Sequence, residues 1–196
     1  MKPGQDLVIG GFIGLEGTIY AARQLEGRLR KTLPQDLLDA AKDFRNYLKR
    51  SPEAAVARRH GEIAMQEVRE GGIFAALWDM AEQYQTGFTI FLRKIPVRQE
   101  TIEICEALEL NPYGLLSGGC ALLAADNGND LLWELEEEGI CGAVIGKATD
   151  SNDRLILNGG KRRYLNRPEP DEIEKLKKAE IRDPGFPDTE GRDIWK

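Results

Sequence analysis

Cys120-Ala121-Leu122-Leu123-Ala124-Ala125, followed by Asn127-Gly128-Asn129-Asp130-Leu131-Leu132-Trp133-Glu134-Leu135-Glu136-Glu137-Glu138-Gly139 and then by Gly142-Ala143-Val144-Ile145-Gly146-Lys147-Ala148, is the stretch that decides the fold. The first run is apolar throughout and has the length of a buried strand. Asn127 supplies a helix cap, Gly139 a helix stop, and the second apolar run a second strand. A strand, a helix and a strand in immediate succession predict an α/β protein rather than a helical bundle.

The same alternation extends in both directions. Toward the N-terminus, Asp6-Leu7-Val8-Ile9-Gly10-Gly11-Phe12-Ile13 reads as a short buried strand. Leu15, Ile19, Ala22, Leu25 and Leu29 then recur at helical spacing, with Arg28, Arg30 and Lys31 where positive charge suits a helix end. Leu37, Leu38, Ala41, Phe44, Tyr47 and Leu48 predict a second helix, and Ser51-Pro52-Glu53 caps a third that ends near Gly61. Residues 63–68 fit a strand, which Gly71-Gly72 connects to a helix carrying Ile73, Leu77, Met80, Ala81 and Tyr84. Residues 88–92 read as a strand and residues 98–110 as a helix, broken by Asn111-Pro112-Tyr113-Gly114.

Toward the C-terminus, Leu155-Ile156-Leu157-Asn158-Gly159-Gly160-Lys161-Arg162-Arg163-Tyr164 has the two-residue turn chemistry of a hairpin. A charged helical stretch follows over residues 171–178. The expected organisation is one domain over residues 1–178 and an extended tail over residues 179–196, where Phe186 and Trp195 are the side chains able to dock.

Composition narrows the function classes. The 196 residues are 41% hydrophobic and 31% charged, enough for a sizeable core without disulfides or metal. The apolar runs are too short to span a bilayer, and the N-terminus lacks the basic and apolar segments of an export signal. A cytoplasmic protein is expected, with no membrane partner. Cys105, Cys120 and Cys141 are odd in number, form no Cys-x-x-Cys pair, and are expected as buried free thiols in a reducing compartment. A net charge of -6 argues against general nucleic-acid binding, which needs a basic surface.

Catalytic constellations are scarce. The single histidine, His60, follows Arg58-Arg59 at a helix end, where the dipole accounts for a basic residue. No metal cluster or serine–histidine arrangement is visible, so the chain itself is expected to carry no catalytic residue and no metal ligand. Glu134, Glu136, Glu137 and Glu138 read as the solvated face of a helix.

Binding chemistry is easier to place. Arg69-Glu70-Gly71-Gly72 joins a strand to a helix, where unpaired amides and a close-approaching backbone suit a phosphate or carboxylate. Arg69 would add charge, and Glu70 could cap the helix, hold a cation or repel an anion. A tight turn serving only the helix–sheet junction explains the two glycines equally well on spacing alone. Gly14-Leu15-Glu16-Gly17-Thr18 is a second strand-to-helix turn, where Glu16 and Thr18 could reach a ligand beside exposed amides such as that of Gly17, although ordinary helix capping is the better account on local chemistry. Ser117-Gly118-Gly119, ahead of a strand, is the third candidate, and a plain turn explains it at least as well.

Taken in order, Gly14-Leu15-Glu16-Gly17-Thr18, Glu70-Gly71-Gly72-Ile73-Phe74-Ala75-Ala76-Leu77-Trp78, Ile95-Pro96-Val97-Arg98-Gln99-Glu100-Thr101, residues 111–119 and Ala143-Val144-Ile145-Gly146-Lys147 form a set. That set resembles the C-terminal domain of proteins related to aminoimidazole ribonucleotide (AIR) synthetase, nearest the hydrogenase expression/formation (maturation) factor-like branch. The resemblance runs from about Asp6 to Pro170 and implies an α/β (α+β) fold, a mixed β-sheet flanked by helices.

The resemblance also implies an ATP- and magnesium-dependent family that activates an oxygen by phosphorylation. In that family an N-terminal domain holds nucleotide and metal, and the C-terminal domain closes over substrate and phosphates. This chain is therefore expected to be the substrate- and phosphate-side domain, to lack the ATP-binding domain, and to bind no cofactor by itself. Its substrate would be a phosphorylated small molecule or a carbamoyl-type compound, and its partner a second copy or an ATP-binding domain. The candidate phosphate- and substrate-binding residues are Arg69, Glu70, Gly71, Gly72, Glu16, Gly17 and Ser117, of which the resemblance carries over Glu70, Gly71 and Gly72. Where the related branch commonly reads His-Asp-Val-Thr-Glu-Gly-Gly, this chain reads Gln66-Glu67-Val68-Arg69-Glu70-Gly71-Gly72. Loss of the histidine and threonine changes proton-transfer and hydroxyl chemistry. A non-catalytic binding or assembly module that retains the fold is the alternative.

Overall fold

The computed structural model describes residues 1–48, 53–60 and 64–182. Both apolar runs of the deciding stretch are strands. β4 (Ala121–Ala125) is buried along its whole length, and β5 (Gly142–Thr149) follows the intervening helix α8 (Gly128–Glu137). The Asn127 side chain accepts from the Asn129 and Asp130 amides at 3.1 and 3.4 Å, and Gly139 leaves the helix at φ 74°.

The two strands are not neighbours. The N-terminal strand β1 (Asp6–Gly10) lies between them, antiparallel to both. On either side the sheet continues through β2 (Ala64–Glu67), β3 (Gly87–Phe91), β6 (Arg154–Asn158) and β7 (Lys161–Tyr164), in the order β2-β4-β1-β5-β3-β6-β7. Every pairing is antiparallel except β3 with β6, so the α/β fold has a mixed sheet. β1, β2, β3 and β6 consequently run one way, and β4, β5 and β7 the other.

Alternation along the central strands sends side chains to both faces, which is why the strands read as unbroken apolar runs. Leu7, Ile9, Leu122 and Ala124 pack with Phe88, Ile90, Ile145 and Ile156 beneath α6 (Gly72–Tyr84), whose Ile73, Leu77 and Met80 face them. Val8, Ala121, Leu123 and Ala125 face α8 and α5 (Glu53–His60) on the other side. A second, helical cluster joins α1 (Leu15–Gln24), α2 (Glu26–Leu29), α3 (Gln35–Lys42), α7 (Gln99–Ala107) and α9 (Ile173–Arg182).

The helix expected across residues 15–29 is broken at Leu25, whose φ of -111° ends α1. The break lets Leu25 and Leu29 both reach the helical cluster. The next helix breaks between α3 and α4 (Arg45–Leu48), where Phe44 turns inward onto Leu15 and Ile19. The hairpin of β6 and β7 closes on Gly159-Gly160 as its turn chemistry predicts. Ser51, Pro52, Gly61, Ile63 and residues 183–196 lie outside the described residues.

The expectation of three buried thiols is corrected at one position. Cys105 and Cys120 are buried, but Cys141 is exposed, because the chain alternates at the entry to β5 and it is Ile140 that turns inward. Burial pushes the Cys105 thiol up to about 12 and raises that of Cys120 as well. Only the thiolate is an effective nucleophile. Iodoacetamide at pH 8 is therefore expected to modify Cys141 alone in the folded protein and all three cysteines in denaturant. Native modification at Cys105 or Cys120, read by peptide mass spectrometry, would contradict the burial.

Candidate functional site

β1 and β2 point the same way and finish at the same end of the sheet, with the start of β4 between them. Each then starts a helix through a left-handed glycine. Gly14 precedes α1 at φ 73°, ψ 5°, and Gly71 precedes α6 at φ 75°, ψ 4°. An L side chain is strained in this conformation, which accounts for glycine at both helix entries.

Residues 111–119 thread between the two helix entries. The Ser117 amide donates to the Arg69 carbonyl at 3.1 Å, and the Gly17 amide donates to the Leu116 carbonyl at 2.9 Å. The Gly14 amide donates to Ser117 Oγ at 2.7 Å, while that hydroxyl donates to the Leu115 carbonyl at 2.9 Å. Behind this, Thr18 Oγ1 donates to the Gly14 carbonyl at 2.7 Å and lies 3.0 Å from Thr101 Oγ1. Three glycine-bearing segments quoted separately from the sequence thus form one structure.

The candidate residues take different parts in it. Ser117 is fully buried and clasps two loops. Gly72 stands where a Cβ would meet the Tyr113 carbonyl oxygen at 2.6 Å and that of Leu115 at 2.9 Å. Arg69 is exposed, and its Nε donates to Glu67 at 2.7 Å. Glu70 is exposed and within electrostatic reach of Lys177. Burial pushes the half-buried Glu16 carboxyl above the usual carboxylate range, Arg69 draws it back, and Asp171 raises it further.

Asp171 was not singled out in the sequence, yet it sits at the centre of the site. Its Oδ2 accepts from the Gly71 amide at 2.6 Å, and its Oδ1 accepts from the Leu116 amide at 3.0 Å and the Ile173 amide at 2.8 Å. The Gly71 amide, expected to face a ligand, thus serves a carboxylate of the same chain. The only local signal at Asp171 is that of a residue capping α9. The Gly72 amide donates to the Arg69 carbonyl at 3.0 Å, which leaves the first-turn amides of Ile73 and Phe74 without intrahelical acceptors.

Two cavities flank the glycines. One of about 20 Å³, room for about one water, lies among Glu53, Glu67, Arg69, Gly118, Gly119 and Cys120. Glu53, only 3% exposed, has its carboxyl raised by burial and by Glu67, against the pull of its own backbone amide. The other cavity, about 160 Å³, opens beside Gly71, Phe74, Asn111, Gly114, Arg163 and Arg167. Phe74 on its wall stacks on Tyr113, 5.4 Å away, and carries Arg163 over its ring at 5.4 Å. Among the described residues no group of His, Cys, Asp or Glu side chains is arranged to hold a metal ion, and no helix is long and apolar enough to cross a membrane.

The comparisons with known proteins agree with this architecture. Residues 2–158 match the family model described as AIR synthase related protein, C-terminal domain. A Methanocaldococcus jannaschii protein bearing the name hydrogenase expression/formation protein is 34% identical over 98 residues, which is 48% of this chain and 29% of that protein. The crystal structure of E. coli HypE superposes with a TM-score of 0.70 at 18% identity, covering 90% of this chain and 53% of that one. A structure of the hydrogenase maturation protein HypE in complex with ATP gives a TM-score of 0.65 at 18% identity, covering 88% and 53%. At such identity the structural likeness is one of fold. The chain spans about half the length of these solved proteins.

Proposed function

The chain belongs to the family of AIR synthase related proteins, as their C-terminal domain, and from that premise we propose that it is the substrate- and phosphate-side domain of an ATP-dependent, hydrogenase-maturation-factor-like enzyme. The observation that carries this reading is the convergence of Gly14–Thr18, Arg69–Gly72 and Ser117 at the end of the sheet where β1 and β2 finish and α1 and α6 begin. Helix N-termini there present amide dipoles to an oxyanion, and Arg69, exposed and paired with Glu67, adds a positive charge.

The relative solved with ATP supports nucleotide chemistry in the family. The part assigned to this chain is therefore to hold and orient the oxyanions of a phosphorylated or carbamoyl-type substrate. Nucleotide and metal would be brought by an ATP-binding domain paired with it, in a dimer or across two chains. No side chain of the site is assigned proton transfer, in keeping with Gln66, Glu67 and Arg69 standing where the related branch carries histidine, aspartate and threonine.

A second reading, a non-catalytic binding or assembly module, is favoured by one observation: the Gly71 amide already has an internal carboxylate partner. Chemical-shift mapping with phosphate, ATP and carbamoyl phosphate at millimolar concentration separates the two. The enzyme-domain reading expects perturbation at Arg69, Ile73 and Phe74, and no ATP hydrolysis by the chain alone. Shifts confined to residues remote from Arg69–Gly72, or turnover of ATP, would overturn it.

A further inference from the structure

We propose that residues 166–172 form a strap that closes the Gly71 site, with the Asp171 carboxylate standing in for a ligand oxyanion until one displaces it; this rests on the phosphate-side reading given above. Asp171 is 4% exposed and gathers amides from two distant segments, at Gly71 and Leu116, as well as that of Ile173 two residues on. A carboxylate oxygen and a phosphate oxygen accept from the same amide donors. Two of these, Gly71 and Leu116, belong to the candidate site itself, so the Asp171 carboxylate and a ligand oxyanion cannot occupy them together.

The strap is built to lift. It is held at one end by the Leu165 amide, which donates to the Arg154 carbonyl at 2.7 Å. At the other end it is held by Asp171 and by Glu172, whose Oε2 accepts from the Asn111 amide at 3.2 Å and whose own amide donates to the Gly114 carbonyl at 3.2 Å. Between these ends no hydrogen bond among the described residues ties it down. Pro168 and Pro170 have no amide hydrogen to give, and Asn166, Arg167, Glu169 and Pro170 are exposed. Beneath it lies the cavity of about 160 Å³ with Gly71 and Phe74 on its wall. Arg163 and Arg167 at that cavity carry charge of the sign that attracts an incoming anion.

An occupied site taxes the competing ligand by the fraction of molecules in which it stands open. Asp171→Asn keeps the shape of the side chain but removes the charge that strengthens its bonds to the amides. Glu169→Gln removes the same charge from the rim of the same cavity without touching those bonds, and so controls for general electrostatics. Inorganic phosphate, titrated into the full chain and followed at the Gly71 and Leu116 amides by NMR, is expected to bind about tenfold tighter to D171N and within about twofold of wild type to E169Q. Faster amide hydrogen exchange at Leu116 and Ile173 should accompany the first change only.

Equal phosphate affinity in wild type and D171N overturns the strap while leaving the phosphate-side reading standing. An equal gain in D171N and E169Q also overturns it, since the gain would then be electrostatic. Phosphate binding to neither wild type nor D171N, whether at these amides or at Arg69, Ile73 and Phe74, overturns both.

Discussion

Gly72→Ala is expected to destabilise the fold by roughly 3–5 kcal/mol, the sum of left-handed backbone strain and overpacking. Gly72 has φ 62°, which an L side chain rarely adopts. The added methyl would lie 2.6 Å from the Tyr113 carbonyl oxygen, 2.9 Å from that of Leu115 and 3.0 Å from the Gly114 carbonyl carbon. All three contacts are backbone, so no rotamer change relieves them. They belong to the segment whose amides and carbonyls join the two helix entries, and moving it disturbs the bonds at Ser117 and Asp171 as well.

Gly27→Ala is the internal control. Gly27 lies exposed in α2, and a methyl there would meet nothing within 4 Å. Removing the entropy and solvation cost of a helical glycine should stabilise by about 0.5–1 kcal/mol. Urea denaturation of both variants checks the pair, with the midpoint moving in opposite directions at constant slope. A loss below about 1 kcal/mol for Gly72→Ala, the usual single-site average, would mean that this glycine serves ligand approach rather than the crossing of two chain segments.

The contrast between the two glycines marks how far the sequence reaches. Strands and helices were legible because both faces of β1 and β4 are covered and the helices carry one apolar stripe, so each leaves a local period. The sheet order was not legible, for the insertion of β1 between β4 and β5 is set by pairing across more than a hundred residues. Cys141 was misplaced because an apolar setting does not say which of two successive residues turns inward.

The site divides in the same way. Gly14, Gly71 and Ser117-Gly118-Gly119 stand out as turns, since glycine at a strand-to-helix junction is a local signal. Their convergence is not local, and neither is the bond from the Gly71 amide to Asp171, one hundred positions away. Charge at Arg69 was visible, but its exposed pairing with Glu67 was not. The sequence therefore points to the loops, and only the fold shows that one of them is already occupied by a carboxylate.

Leu115→Ala is expected to cost about 2–5 kcal/mol, and the same substitution should rescue Gly17→Ala. Leu115 is fully buried in the helical cluster and fixes the 111–119 segment against α1. A methyl on Gly17 would lie 2.5 Å from Leu115 Cγ and 2.6 Å from its Cδ1, so Gly17→Ala alone should lose about 1–3 kcal/mol by overpacking. Unlike Gly72, Gly17 lies within α1 at a φ open to any residue, and alanine there carries a helix preference of about 1 kcal/mol over glycine. Once Leu115 is truncated, the new methyl enters the vacated space instead of meeting a branched side chain. The double variant should then be less destabilised than the sum of the single ones by about 2 kcal/mol, within the range seen for residues in contact. A coupling near zero would show that the 111–119 segment moves independently of α1. In that case the Gly17 amide to Leu116 carbonyl bond, and with it the spacing between the two helix entries, could not be what sets the geometry of the site.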